Sequence, residues 1–370
     1  MTVPYINLAL QHQNIKQELL SAVEKVLVSG QFILGEEVKK FETSFAKIVG
    51  VKYAIGVDNG TDALVLALKA LGIGKGDEVI TAPNSFLASA SCIDIVGAKI
   101  VFADVREDFN LDPEKVEKAI TKRTKAVIAV HLTGRPADMD ALQKICKKKK
   151  IHLIEDCAQA VSAEYNGKRV GSFGIINIFS LHPLKNLSAA GDGGVITTNN
   201  DKLYSWLSRA RNHGLKNRDE CDFWSMNSRL DNLQAAILNV KLNYFEQWTE
   251  RRKKIASIYY SRLKNLDMIV PHDKSNEKAV YHTFIIQTKF RDELKMFLSE
   301  NGIDTKIHYP IPIHFQKAAK SLGYRKGSFP ITEKQVKTIL SLPVYPELTD
   351  EQVNYVCDKI SEFYSQKRNG

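Results

Sequence analysis

The sequence predicts an α/β protein, a mostly parallel sheet between helices followed by a smaller α+β unit, on three observations. Between residues 53 and 198 short apolar runs alternate with helical stretches. Helical periodicity precedes the first run, and after Asp231 a long helical pattern gives way to shorter strand and helix signals. Runs apolar on both faces belong to strands covered from both sides, because a strand with one wet face would alternate.

In chain order, Ile15, Leu19, Val23, Val26 and Leu27 share a helical stripe that ends at Gly30, and Val38, Phe41, Phe45 and Ile48 repeat it before Gly50. Two helices are therefore expected ahead of the first strand. Strands are expected over 53–57, 78–82, 100–105, 126–131, 151–155, 176–180 and 195–198, with helices over 63–71 and 137–149 among the segments between them. Leu233, Ile237, Val240, Leu242 and Phe245 mark a long helix running toward Tyr259. A boundary near residue 250 divides a large domain, 1–249, from a small one, 250–370, and the polar tail after Tyr364 is expected to be disordered.

The 370 residues are 44% hydrophobic and 25% charged, with 11 Pro and 21 scattered Gly, which excludes collagen-like, mucin-like and disordered chains. Lys+Arg 52 against Asp+Glu 42 gives +10, spread along the chain, a weak pointer to phosphate ligands. The densest basic runs, 147–150 and 251–254, lack interleaved aromatics and read as solvated helix faces, so no nucleic-acid partner is expected. Cys92, Cys146, Cys157, Cys221 and Cys357 form no CxxC pair and no His-spaced metal set. An odd count without a secretion signal points to reduced thiols and a cytoplasmic protein, and no run is apolar enough for a membrane span.

Ligands of such sheets bind beyond the carboxyl ends of the strands. The first strand runs into Asp58-Asn59-Gly60-Thr61-Asp62 and a helix, so free backbone N–H groups and a hydroxyl meet at a helix N-terminus, an anion site or an ordinary turn with Thr61 as N-cap. The strand over 151–155 delivers Asp156, followed by Gln159; a carboxylate there can keep a heterocyclic nitrogen protonated, an amide can bond a ring oxygen, and Asp156 could equally be a helix cap. The strand over 176–180 ends in Ser180-Leu181-His182-Pro183-Leu184-Lys185-Asn186-Leu187, ahead of the glycine-rich Gly191-Asp192-Gly193-Gly194. A lysine desolvated in a cleft becomes a usable amine toward an aldehyde. Together the three segments describe a phosphate, a pyridine nitrogen and an aldehyde.

Gly60-Thr61-Asp62-Ala63-Leu64, Glu155-Asp156-Cys157-Ala158-Gln159-Ala160, the Ser180 to Leu187 segment, the glycine-rich turn and Asn227-Ser228-Arg229-Leu230-Asp231 resemble the pyridoxal-phosphate-dependent sugar aminotransferases of the DegT/DnrJ/EryC1/StrS family over nearly the whole chain. The resemblance implies a fold type I transferase, a homodimer with active sites at the subunit interface. It makes Lys185 the Schiff-base lysine, Asp156 the partner of the pyridine nitrogen, Gln159 the residue facing the ring hydroxyl, and Gly60, Thr61 and Ser180 the phosphate cradle. Phe86 would stack on the ring and Asn227 would reach the phosphate from the neighbouring subunit, with Arg229 beside it as a substrate-binding residue or one that only orients the interface. His308, Tyr309 and His314, in an extended Pro-containing segment, match the part through which relatives contact the sugar nucleotide. His131 and Arg135 match a family segment but read as packing, and Thr133 stands where relatives often carry Tyr.

By resemblance the reaction is a transfer of the amino group of L-glutamate, through pyridoxamine 5'-phosphate, to a keto sugar. The acceptor is a nucleotide-linked 3-keto-deoxyhexose, with a C4 ketone or a keto-sugar acid as alternatives, in aminosugar synthesis for lipopolysaccharide, O-antigen or a glycosylated metabolite. Competing readings are a sugar dehydratase on the same scaffold, whose relatives have replaced the lysine, and a catalytically silent binding protein. A Rossmann dinucleotide site is discounted, since no GxGxxG follows the first strand.

Overall fold

In the computed structural model, which describes residues 1–369, seven strands form one sheet. They are β1 (Tyr53–Val57), β2 (Glu78–Thr81), β3 (Lys99–Phe102), β4 (Thr124–Val130), β5 (His152–Asp156), β6 (Ile176–Ser180) and β7 (Gly194–Thr198), in the order β1-β7-β6-β5-β4-β2-β3. The pairs from β3 across to β6 are parallel, and β7 runs antiparallel to both β6 and β1. The expected strand over 100–105 stops at Phe102, and Val105 turns aside to bridge Leu111. Register puts Val130, Asp156 and Ile178 in one row across β4, β5 and β6, at the carboxyl end of the sheet.

The helix Gly60–Ala70, which follows β1, has every side chain from Ala63 to Leu68 buried, as a helix apolar on all sides requires. Three helices rather than two precede β1, namely Leu8–Asn14, Lys16–Ser29 and Glu36–Val49, because Ile15 breaks the first pair. Asn59, not Thr61, caps the helix after β1: its Oδ1 accepts the N–H of Asp62 at 2.8 Å. The short carboxamide reaches a donor that Thr61, already inside the first turn, cannot serve.

The helix Asn232–Leu263 is 32 residues long and crosses the expected boundary unbroken. Ala235, Leu238 and Phe245 pack into a core with Phe41 and Phe45. Ile255, Ala256, Tyr259 and Leu263 pack into another with Phe284, Leu294, Leu340 and Val353. That second core is closed by β8 (Phe284–Gln287) paired antiparallel with β9 (Ile339–Leu342), and by the helix Asp350–Asn369. The tail expected to be disordered continues this helix, anchored by buried Phe363 and Tyr364 and by an ion pair of Lys367 with Glu293, while Gly370 lies outside the described residues. Lys147, Lys148, Lys149 and Lys150 are exposed at a helix end, where cations suit the dipole. All five cysteines are free, and no described helix is long and apolar enough to cross a membrane.

Candidate active site

A cavity of about 640 Å³ opens at the carboxyl ends of β4, β5 and β6. Its floor is the row Val130, Asp156 and Ile178, and it gathers Gly60, Thr61, Phe86, Gln159, Ser180, Lys185, His308 and Tyr309 from the residues expected by sequence.

One end is a backbone cradle. Asn59 takes up the Asp62 N–H through its side chain and the Ala63 N–H through its carbonyl, leaving the Gly60 and Thr61 N–H groups without an acceptor among the described residues. The cradle is tight: a Cβ on Gly60 would lie 3.0 Å from Ser180 Cβ, and one on Gly194 would lie 2.5 Å from the Asn59 carbonyl carbon. Two free N–H groups, the positive end of a helix and the Ser180 hydroxyl suit a phosphate.

At the floor, burial pushes the Asp156 carboxyl up, opposed by the Ala158 N–H at 3.0 Å and by the Lys185 ammonium. Burial pulls Lys185 down to about 8, with Asp156 opposing. Near neutral pH the lysine is thus still mostly an ammonium facing the carboxylate, with about a tenth present as the free amine, far more than an ordinary lysine offers. Gln159 is oriented by the backbone: its Oε1 accepts the Thr133 N–H at 2.7 Å, which turns Nε2 toward Tyr309 OH at 3.4 Å. Thr133 holds φ 66°, and Gly134 beside it, at φ 89°, leaves no room for a Cβ, which would meet Gln159 O and His282 N at 2.9 Å. Thr133 therefore acts here through its N–H.

Beneath the floor, Glu155 and His131 are buried and spent on support. Glu155 accepts the N–H groups of Gly171, Phe173 and Gly174, and His131 Nε2 at 3.0 Å. The Ala137 N–H points at His131 Nδ1, at 2.9 Å, so the ring proton is on Nε2. Cys157 lies close enough to complete a metal-like trio, but both ring nitrogens and the carboxylate are already engaged. Arg135 is likewise taken up, by Glu277 at 3.4 Å.

The opposite wall comes from elsewhere in the chain. Tyr5, Arg252, His282 and Thr283 line it with His308 and Tyr309. His308 Nδ1 pairs with Ser341 Oγ at 2.9 Å, and burial with the charges of Lys185 and Lys306 lowers the ring to about 4, so it is neutral. Tyr309 is raised to about 12 by burial and by Asp156, and its ring lies 5.8 Å from that of the exposed Phe86.

Three expected residues are not brought to this cavity. His314 is turned away, buried against Phe315 and Phe329 and paired with Glu333 at 3.3 Å, because the short helix Ile313–Phe315 points it into a separate apolar cluster. Asn227 is exposed, Arg229 bonds Asn212 Oδ1 at 2.8 Å, and neither lines the cavity. Arg252 corrects the reading of 251–254 as a solvated face, since it is buried. The signal was present: Phe245, Thr249, Arg252, Ala256, Tyr259 and Leu263 recur at helical spacing and are all buried. Tyr5 carried no sequence signal.

The profile of the DegT/DnrJ/EryC1/StrS aminotransferase family matches residues 13–361. The chain is 45% identical to a pleiotropic regulatory protein of Geobacillus stearothermophilus, covering 98% of this chain and 99% of the relative. It is 43% identical to dTDP-3-amino-3,6-dideoxy-alpha-D-galactopyranose transaminase of Aneurinibacillus thermoaerophilus, with coverage of 98% and 99%. Among solved structures, Streptomyces venezuelae DesV in complex with a ketimine intermediate superposes with a TM-score of 0.96 at 40% identity, covering 98% of each chain. The chain belongs to the DegT/DnrJ/EryC1/StrS aminotransferase family.

Proposed function

From membership in this family we propose that the protein moves an amino group from L-glutamate to a nucleotide-linked 3-keto-deoxyhexose, using pyridoxal 5'-phosphate and its pyridoxamine form. The observation that carries the reading is the meeting of Lys185, Asp156 and the open cradle of Gly60, Thr61 and Ser180 around one cavity. The acceptor is argued from the relative that makes a dTDP-linked 3-amino sugar.

When bound, the cofactor supplies an aldehyde that exchanges amines and a protonated ring that accepts electrons. The cradle would hold its phosphate, Asp156 its ring nitrogen, Gln159 Nε2 its ring oxygen, and Phe86 one face of its ring. Lys185, as a free amine, would move a proton between the substrate carbon and the cofactor's aldehyde carbon, in one direction with the donor and in the other with the acceptor. Neutral His308 and Tyr309 face the acceptor without adding charge. Asn227 and Arg229, outside this chain's own cavity, would serve the site of a second copy in a homodimer, and the exposed Phe32, Ile33, Leu87 and Trp224 are apolar surface for such an interface. The proposal extends to a large unit, 1–249, and a small one, 250–370, to a cytoplasmic location, and to aminosugar supply for lipopolysaccharide or O-antigen.

Reconstituting the protein with pyridoxal 5'-phosphate and adding L-glutamate tests it. Loss of the yellow colour with release of 2-oxoglutarate, absent in Lys185→Ala, is expected. The name of the Geobacillus relative favours a second reading, a regulator that keeps the fold; in that case a cofactor-loaded protein stays yellow with every amino acid.

A further inference from the structure

Arg252 is 4% exposed and lines the cavity, yet it is in no ion pair among the described residues. Among the described residues only Nη1 has acceptors, the carbonyl oxygens of Val344 at 2.6 Å and Tyr281 at 3.4 Å, and the buried Nε has no partner. The carboxylate that acts on it, Glu347, makes no ion pair with it and accepts a hydrogen bond from Gln11 Nε2 at 3.1 Å. A buried guanidinium without a direct ion pair is costly, and it persists where a ligand supplies the missing contact. Thr283 on the same wall has a second buried orphan, its Oγ1. His282, which also lines the cavity, is held well below its ordinary range by burial and then by the charges of Lys185 and Arg252, so both cations act on one ring.

Resting on the aminotransfer reading, we infer that Arg252 binds the α-carboxylate of the amino donor on the wall opposite the phosphate cradle. A carboxylate matches the planar fork of a guanidinium, whose two N–H edges can meet both of its oxygens. The donor's amine is then presented toward the Lys185 side of the cavity, and the same cation selects amino acids over plain amines.

The test compares L-glutamate with 4-aminobutyrate, which has the amine and the distal carboxylate but no α-carboxylate, by the rate of colour loss in the cofactor-loaded holoenzyme. The wild type is expected to prefer L-glutamate strongly. In Arg252→Gln the preference should collapse by on the order of 100-fold through loss with L-glutamate alone, while Arg252→Lys retains part of it. Calorimetry with α-methyl-L-glutamate should show the same loss of affinity, with the cofactor still bound and yellow. Equal slowing with both amines, or unchanged affinity for α-methyl-L-glutamate, would mean that Arg252 only clamps the Val344 and Tyr281 carbonyls and would overturn the inference. A wild type that loses no colour with any amino acid sinks the aminotransfer reading first, and this inference with it.

Discussion

The two walls of the cavity are built in opposite ways. The sheet wall is contiguous and local: each element is a strand end and the few residues after it, held by backbone groups such as the Asn59 cap and the Glu155 support. The facing wall joins Tyr5, Arg252, His282 and His308, from the N-terminal segment, the middle of a long helix and two later loops. The first wall is preorganised for a ligand of constant shape. The second depends on how the two cores pack.

If that contrast holds, substitutions on the sheet wall act on the cofactor and the proton transfer whichever substrate is used, and those on the facing wall act through one substrate at a time. The largest effect is expected from Lys185→Ala, a fall in turnover of at least about 10³-fold, because the proton carrier is gone. Asp156→Asn should follow, with kcat/KM down on the order of 100-fold, since an amide cannot hold a ring nitrogen protonated as a carboxylate does. Gly194→Ala forces the Asn59 backbone to move, and equilibrium dialysis should show cofactor affinity weakened about 10-fold, in line with an overpacking cost of 1–3 kcal/mol. A pH series sharpens the same contrast. Lys185 at about 8 means that the rate of cofactor uptake by the apoprotein rises as pH rises through about 8 and then levels, as the amine form fills; a rise continuing toward the ordinary lysine range would contradict the burial argument. Least affected should be Tyr5→Phe, a few-fold change in the acceptor KM, consistent with about 1 kcal/mol for one hydrogen bond.

The difference between the walls also explains what was legible. Strand ends, the helix N-terminus after β1 and Lys185 each lie within a few consecutive residues, so their local chemistry could be read directly, and the sheet followed from its two-sided apolar runs. Tyr5 could not be read because its place is set by Val3, whose N–H bonds Gly302 O at 2.9 Å, a partner some 300 residues away. Arg252 was obscured by composition: among four consecutive cations only helical phase distinguishes the buried one, and Phe245, Thr249 and Tyr259 supply that phase. His314 went wrong in the opposite direction, as resemblance placed a segment at the cavity, but the turn of a short helix decides which of its side chains look inward.

The pairing of Val3 with Gly302 and Ile303 draws the first residues into the cavity wall, and that bears on how the protein is handled. A purification handle fused ahead of Met1 would hang from the strand that positions Tyr5, only four residues away. Poor kinetics in such a fusion would report a displaced wall rather than a weak enzyme, so comparison with a cleaved or differently tagged protein should come before any judgement on substrates.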